Sequence, residues 1–149
     1  MKYIFFFLFA QVFSQNNVCF EIAENPNQDI FALQLFTKYV NVLDCIDIYA
    51  ESSISDEKVL HAAAITAELL DNNEDGIIDD SNVELILSNK KTIIPLLTFE
   101  GSDAEDILFS NFDDLEENYN YCASAVLYSN EISPQNPGFW SQDASIEEI

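Results

Sequence analysis

The chain contains no arginine, and its five lysines face 27 aspartate and glutamate residues, so its formal net charge at pH 7 is −22. An acidic surface repels the phosphate groups of nucleic acids and the headgroups of anionic lipids. We therefore exclude nucleic-acid binding and membrane-surface binding as functions. Cations, by contrast, are attracted to such a surface, and a bound divalent ion would relieve part of its self-repulsion.

Histidine and cysteine are also scarce, and this limits the chemistry that the chain can support. His61 is the one histidine, and the three cysteines form no Cys-x-x-Cys pair, so neither a zinc site nor a redox motif is indicated. His61 could pair with Glu57 or bind a metal, but an isolated histidine favours a packing or helix-surface role. No Ser-His-Asp or Cys-His arrangement can be assembled around it. We predict no catalytic residues, and whether the chain is an enzyme stays open.

Long apolar runs are absent except at the N-terminus, where Lys2 precedes a phenylalanine-rich stretch at 3–13 and Ser14 offers a cleavage point. The run is about half of the roughly 20 residues that a membrane-spanning helix needs. Residues 1–14 are therefore predicted to be a signal peptide rather than an anchor, and the mature protein to be secreted or held in the lumen of the secretory pathway. In that oxidising compartment we expect two of the cysteines to form a disulfide, with three connectivities open among Cys19, Cys45 and Cys122.

The remaining residues, 15–149, are predicted to form a single α+β domain with a small mixed sheet and flanking helices. Alternating or continuous apolar residues indicate strands at 18–22, 39–49 and 92–99, and Pro95 places the last of these at a sheet edge or at a bulge. Capping residues and helical periodicity indicate helices after Ser55, Ser81 and Ser102, and a brief helix is expected at 30–36.

Between the first two of these capped helices lies the most informative stretch, residues 71–82, with the sequence Asp-Asn-Asn-Glu-Asp-Gly-Ile-Ile-Asp-Asp-Ser-Asn. Oxygen-bearing side chains occupy its first, third, fifth, ninth and twelfth positions, and the sixth is Gly76. Hard cations such as Ca²⁺ bind six to eight oxygens at about 2.3–2.6 Å, and glycine allows the sharp turn that brings those oxygens together. The spacing predicts a calcium site with the following ligands: Asp71, Asn73, Asp75, the backbone carbonyl of Ile77, Asp79 and Asn82.

This stretch resembles the EF-hand signature Asp-x-Asn-x-Asp-Gly-x-Ile-Asp over its first nine positions, and the resemblance implies a helix–calcium loop–helix unit. Ile78 occupies the position where EF-hand loops usually carry an aliphatic residue that anchors the loop to the core. The departure from the signature is Asn82, which replaces the usual bidentate glutamate at position twelve and can supply only one oxygen. With no second loop in the chain, we expect a structural site with a Kd on the order of 10⁻⁴–10⁻³ M rather than a sensor.

A second resemblance extends from Leu60 to Asp80, which is similar to a group of secreted, largely uncharacterised proteins. Those proteins continue past an Asp-Ala-Ser-Ile-Glu-Glu-Ile-like segment into a histidine-bearing, metallopeptidase-like helix. Here the segment is 143–149, where the sequence ends at what looks like the start of a helix, so a truncated chain and a frayed tail are both open. We therefore expect a secreted calcium-binding domain. The alternative is the N-terminal part of a secreted metal-dependent hydrolase that lacks its catalytic segment.

Overall fold

The computed structural model describes residues 20–136 and 143–149, and these form an α+β fold, as predicted. The sheet is mixed, with strand order β1-β2-β3-β4-β5 and with β6 also pairing with β4. Its first three strands are antiparallel, whereas β4 runs parallel to β3, β5 and β6. The strands are β1 (Ala23–Glu24), β2 (Phe36–Val42), β3 (Ile46–Glu51), β4 (Lys91–Leu97), β5 (Tyr121–Ala123) and β6 (Leu127–Tyr128). The predicted signal peptide and Cys19 lie outside the described residues.

Helices cover both faces of the sheet, because alternate residues of each central strand point to opposite sides. Ile94 and Leu96 of β4 belong to one buried cluster, together with residues of α1, whereas Ile93 and Leu97 belong to a second cluster with α3 and α4. The α-helices are α1 (Asp56–Leu70), α2 (Ser81–Asn89), α3 (Asp103–Ser110), α4 (Phe112–Tyr119) and α5 (Ser145–Glu148). No helix in the described part of the chain is long and apolar enough to cross a membrane.

The prediction of one long strand at 39–49 is wrong, because this stretch is a hairpin of β2 and β3. Leu43 and Asp44 both have positive φ, at 50° and 58°, and the amide of Cys45 donates to the carbonyl of Val42 at 3.1 Å. Two successive left-handed residues match the twist of an antiparallel pair, as in type I′ turns. Leucine is unusual in such a turn, so the sequence at 43–44 did not indicate a turn between two strands.

Pro95 lies in an interior strand, and the register of β4 with β3 continues past it without a shift, so neither the predicted sheet edge nor the predicted bulge is found there. Residues 92–97 of β4 are all buried, and β4 has β3 on one side and β5 with β6 on the other. The strands β5 and β6 pair with the two ends of β4, up to Ile93 and from Leu96, and leave a gap in the ladder beside Pro95. Proline lacks the N–H that a ladder needs, and the interruption of the neighbouring strand accommodates this.

Two minor predictions also shift near the start of the described chain. The strand expected at 18–22 is instead β1, at Ala23–Glu24, and Phe20 to Ile22 are not in a strand. The brief helix expected at 30–36 is a single 3₁₀ turn at Phe31–Leu33, because Phe36 already begins β2. The caps at Ser55 and Ser102 are confirmed: their hydroxyl oxygens accept from the amides of Lys58 and Glu105, respectively.

Candidate functional site

The candidate metal-binding loop, residues 71–82, connects α1 to α2 as predicted. The amide of Asp71 donates to the carbonyl of Ala67 at 2.8 Å, which completes the last turn of α1. The amide of Asp79 then donates to the carbonyl of Leu70 at 2.9 Å, so the two ends of the loop are held together. Gly76 has a φ of +85°, a conformation that other residues rarely adopt. The glycine therefore makes the turn for which the sequence pattern required it.

Asp71 is the best-defined of the predicted ligands, since it is buried with only 4% of its surface exposed. Its Oδ1 accepts a hydrogen bond from the amide of Asp75 at 3.2 Å, and its Oδ2 accepts one from the amide of Gly76 at 2.6 Å. Buried carboxylates are stable only when hydrogen bonds or cations compensate for their lost hydration. Here the loop backbone supplies that compensation and folds around the carboxylate.

Asn73, Asp75 and Asp79 are exposed, and hydrogen bonds hold them within the same loop. The Oδ1 of Asn73 accepts from the amide of Asp75 at 3.0 Å, and the Oδ1 of Asp75 accepts from the amide of Ile77 at 2.9 Å. Asp79 accepts at Oδ1 from the side-chain amide of Asn73 at 2.9 Å, and at Oδ2 from the amide of Asn72 at 3.0 Å. The fold thus brings four of the five predicted side-chain ligands, Asp71 among them, into one connected network.

The two isoleucines in the middle of the loop have opposite environments. Ile78 is 8% exposed and belongs to the buried cluster beneath α1, as predicted for the anchoring position. Ile77, whose backbone carbonyl is a predicted ligand, has a side chain that is 67% exposed. The loop is therefore fixed to the core on one side and open to solvent on the other.

Asn82 is the predicted ligand that the structure does not bring into the network. Its side-chain amide donates to Oδ1 of Asp80 at 3.2 Å, and its backbone amide donates to the same oxygen at 2.8 Å. Asp80, rather than Ser81, is the N-cap of α2, and it also accepts from the amide of Val83 at 3.4 Å. These hydrogen bonds, chiefly those from the backbone, hold the pKa of Asp80 below its ordinary value. The predicted cap at Ser81 is thus displaced by one residue.

Asp80 could not have been singled out from the sequence, because aspartate and serine are about equally good N-caps. The cap lies where the loop joins the helix, directly after Asp79, whose amide donates to the carbonyl of Leu70. Once Asp80 is the cap, Asn82 becomes the second residue of α2. Its side chain then reaches back toward the cap.

The donor set has the chemistry that a hard cation requires, since it consists of carboxylate and amide oxygens with lone pairs to spare. Among residues 20–136 and 143–149, however, no group of three or more Asp, Glu, His or Cys side chains is arranged to hold a metal ion. Asn73, Asp75 and Asp79 are exposed, and their side-chain oxygens accept hydrogen bonds from groups of the loop itself. The loop therefore offers oxygen atoms of the type that a hard cation prefers, but its side chains are not gathered around one point.

Outside the loop, His61 is paired with Asp143, not with Glu57 as one sequence interpretation suggested. Its Nε2 lies 2.8 Å from Oδ2 of Asp143, and the side chains are 12% and 0% exposed. The other carboxylate oxygen of Asp143 accepts from the hydroxyl of Ser145 at 2.7 Å. The pair therefore fastens the segment that precedes α5 to α1, in keeping with the packing role expected for an isolated histidine.

Cys45 and Cys122 are free thiols, and Cys45 is buried. Burial raises the pKa of the Cys45 thiol to about 11, with smaller contributions from Glu84, Asp44 and Asp47. Cys19, the third cysteine, lies outside the described residues. The disulfide expected from the secretory route therefore stays a prediction.

The chain was compared with protein-family models, with curated proteins and with solved structures, and none of them matches it.

Proposed function

We propose that residues 71–82 bind a calcium ion and that the ion ties α1 to α2 in a structural role. The proposed ligands are side-chain oxygens of Asp71, Asn73, Asp75 and Asp79, and the carbonyl of Ile77. Because Asn82 is directed to Asp80, water would complete the coordination shell. The weak binding expected from the sequence, with a Kd on the order of 10⁻⁴–10⁻³ M, is retained.

The observation that carries this proposal is the environment of Asp71. This buried carboxylate at the end of α1 accepts hydrogen bonds from the backbone amides of Asp75 and Gly76, four and five residues later in the loop. The loop turns at Gly76, which has a positive φ. Ile78 belongs to the core cluster against which Ala67 and Leu70 of α1 also pack, so the loop backbone is held beside the end of that helix.

Charge supplies independent support for the proposal. Residues 68–89, which comprise the end of α1, the loop and α2, contain seven carboxylates and no lysine, so like charges are concentrated in this stretch. A divalent cation in the loop would reduce their mutual repulsion and would stabilise the folded state by mass action.

A thermal-shift measurement tests the proposal. The melting temperature of the purified chain should rise when calcium is added at millimolar concentration and should fall back on chelation. Asp75→Ala should abolish the rise, whereas Asp113→Ala, which removes one exposed carboxylate on α4, should leave it intact. An unchanged melting curve with calcium, or an equal rise with magnesium, would refute a calcium-specific site.

The alternative function, part of a metal-dependent hydrolase, stays a prediction. None of the contacts among the described residues supports it over the structural calcium site.

A further inference from the structure

The helix α2 is exposed around almost its whole circumference. It buries none of its residues, and Leu87 is the one side chain of this helix that packs against the core. Val83, Leu85 and Ile86 are 38%, 62% and 67% exposed. Short helices are stabilised mainly by the packing of an apolar face against another part of the protein. The helix α2 has nine residues and leaves three aliphatic side chains in water, so it lacks part of this packing.

More exposed apolar side chains flank these three in the same helix–loop–helix unit. Leu69, near the end of α1, is 53% exposed, and Ile77, in the loop, is 67% exposed. Single exposed apolar residues are common on protein surfaces, but this unit exposes five within 22 residues, and Val83 and Ile86 are three residues apart on α2 and so share one face of the helix. We call Leu69, Ile77, Val83, Leu85 and Ile86 the α2 surface.

The charges in the same stretch of sequence as the α2 surface indicate what can cover it. Residues 68–89 carry seven carboxylates and no cationic side chain. The nearest lysines in the sequence are engaged elsewhere: Nζ of Lys90 lies 3.8 Å from the carboxylate of Glu116, and Nζ of Lys91 lies 5.0 Å from the ring centre of Tyr121. A second copy of this chain, with the same charge, would be repelled, as would an anionic lipid surface.

We propose that the α2 surface is a docking site for a cationic amphipathic segment of another protein, one that combines lysine or arginine with large aliphatic side chains. The aliphatic residues would cover Leu85 and Ile86, and the cations would meet carboxylates of the same helix–loop–helix unit. The carboxylates are present whether or not the loop holds an ion, so this proposal does not rest on calcium binding.

The test is a fluorescence-anisotropy titration of the full chain with a labelled helical peptide built from leucine and lysine. The double variant L85S/I86S should bind this peptide about tenfold more weakly or worse, because two aliphatic contacts are lost. The matched control is F99S/F109S, which removes two exposed phenylalanines, one just after β4 and one on α3, and should bind like the unmodified chain. Circular dichroism would establish that each variant remains folded.

Two further peptides make the result decisive. A peptide with serine in place of leucine should bind weakly, and one with glutamate in place of lysine should not bind. Equal binding of the leucine and serine peptides would show that the peptide binds through its net charge alone, and this would overturn the proposal. So would undiminished binding by L85S/I86S, self-association of the chain in sedimentation, or binding to zwitterionic vesicles in place of the peptide.

Discussion

The imidazole of His61 on α1 lies 2.8 Å from the carboxylate of Asp143, a residue 82 positions later in the chain. Asp143 is fully buried, so this contact joins the segment before α5 to the first helix within the protein interior. The one histidine of the chain therefore makes a long-range structural contact.

We expect a double-mutant cycle of His61→Ala and Asp143→Ala to give a coupling energy of about 1–3 kcal/mol, because loss of either partner strands a buried polar group. Urea unfolding at neutral pH measures it. The control is the cycle of His61→Ala with Glu57→Ala, which should give additive effects, since Glu57 accepts from Gln135 instead. Additive effects in the His61–Asp143 cycle would contradict the structural role.

The cap of α2 gives a second prediction. Asp80→Ala should accelerate hydrogen exchange of the amides of Asn82 and Val83, because both donate to the Asp80 carboxylate. Ser81→Ala should leave these amides protected, since Ser81 is the first residue of the helix and not its cap. Hydrogen exchange followed by NMR distinguishes the two variants. The reverse result would restore the cap that the sequence indicated.

A third prediction concerns the strength of the proposed calcium site. Asn82→Glu should raise the calcium affinity by about tenfold or more, because a glutamate at position twelve can supply two oxygens where Asn82, which is directed to Asp80, supplies none. Asn89→Glu adds the same charge at the other end of α2 and should raise the affinity only slightly. Calorimetric titration of both variants measures the difference. Equal gains would mean that charge, and not ligation, sets the affinity.

Alkaline pH should destabilise the protein partly through Tyr128. Its hydroxyl donates to Oε1 of Glu105 at 2.8 Å, and this hydrogen bond, together with burial, raises the pKa of Tyr128 to about 12. The unfolded chain releases this proton near pH 10, so the stabilising contribution is complete below that pH and is lost as the pH rises toward 12. The urea midpoint should therefore fall as the pH rises above about 10, and less steeply for Tyr128→Phe.

The matched control for that measurement is Tyr119→Phe, which removes the hydroxyl of an exposed tyrosine. Burial also raises the pKa values of Tyr49 and Tyr121, whose hydroxyls lie 3.3 Å apart. Part of the loss of stability at alkaline pH should therefore persist in Tyr128→Phe. A Tyr128→Phe slope identical to that of the unmodified chain would show that the hydrogen bond to Glu105 is not formed in solution.

Sequence reasoning predicted the features that local chemistry determines. The helix at Asp56–Leu70 with its serine cap, the glycine turn and the burial of Ile78 were all correct, because each depends on residues close together in the chain. These features also position the candidate loop. The end of α1, the turn at Gly76 and the buried Ile78 each constrain the backbone of the loop.

The errors lie where distant parts of the chain decide the outcome. Pro95 is interior because β5 and β6 leave a gap beside it, and nothing near Pro95 in the sequence reports that gap. Leu43 adopts positive φ because the pairing of β2 with β3 demands it, against its own preference. The partner of His61 could not be chosen for the same reason, since Asp143 is brought to it only by the complete fold.

The parallel pairing of β3 with β4 requires the chain to cross the sheet between them, and α1, the loop and α2 make up that crossover. A parallel pair forms only after its connection has closed, and the entropy of closure grows with the length of disordered chain. If an ion fixes α1 to α2, the disordered part of the connection becomes shorter before the strands meet. Calcium would then act on the rate of folding as well as on the stability of the product, and refolding should be faster in its presence.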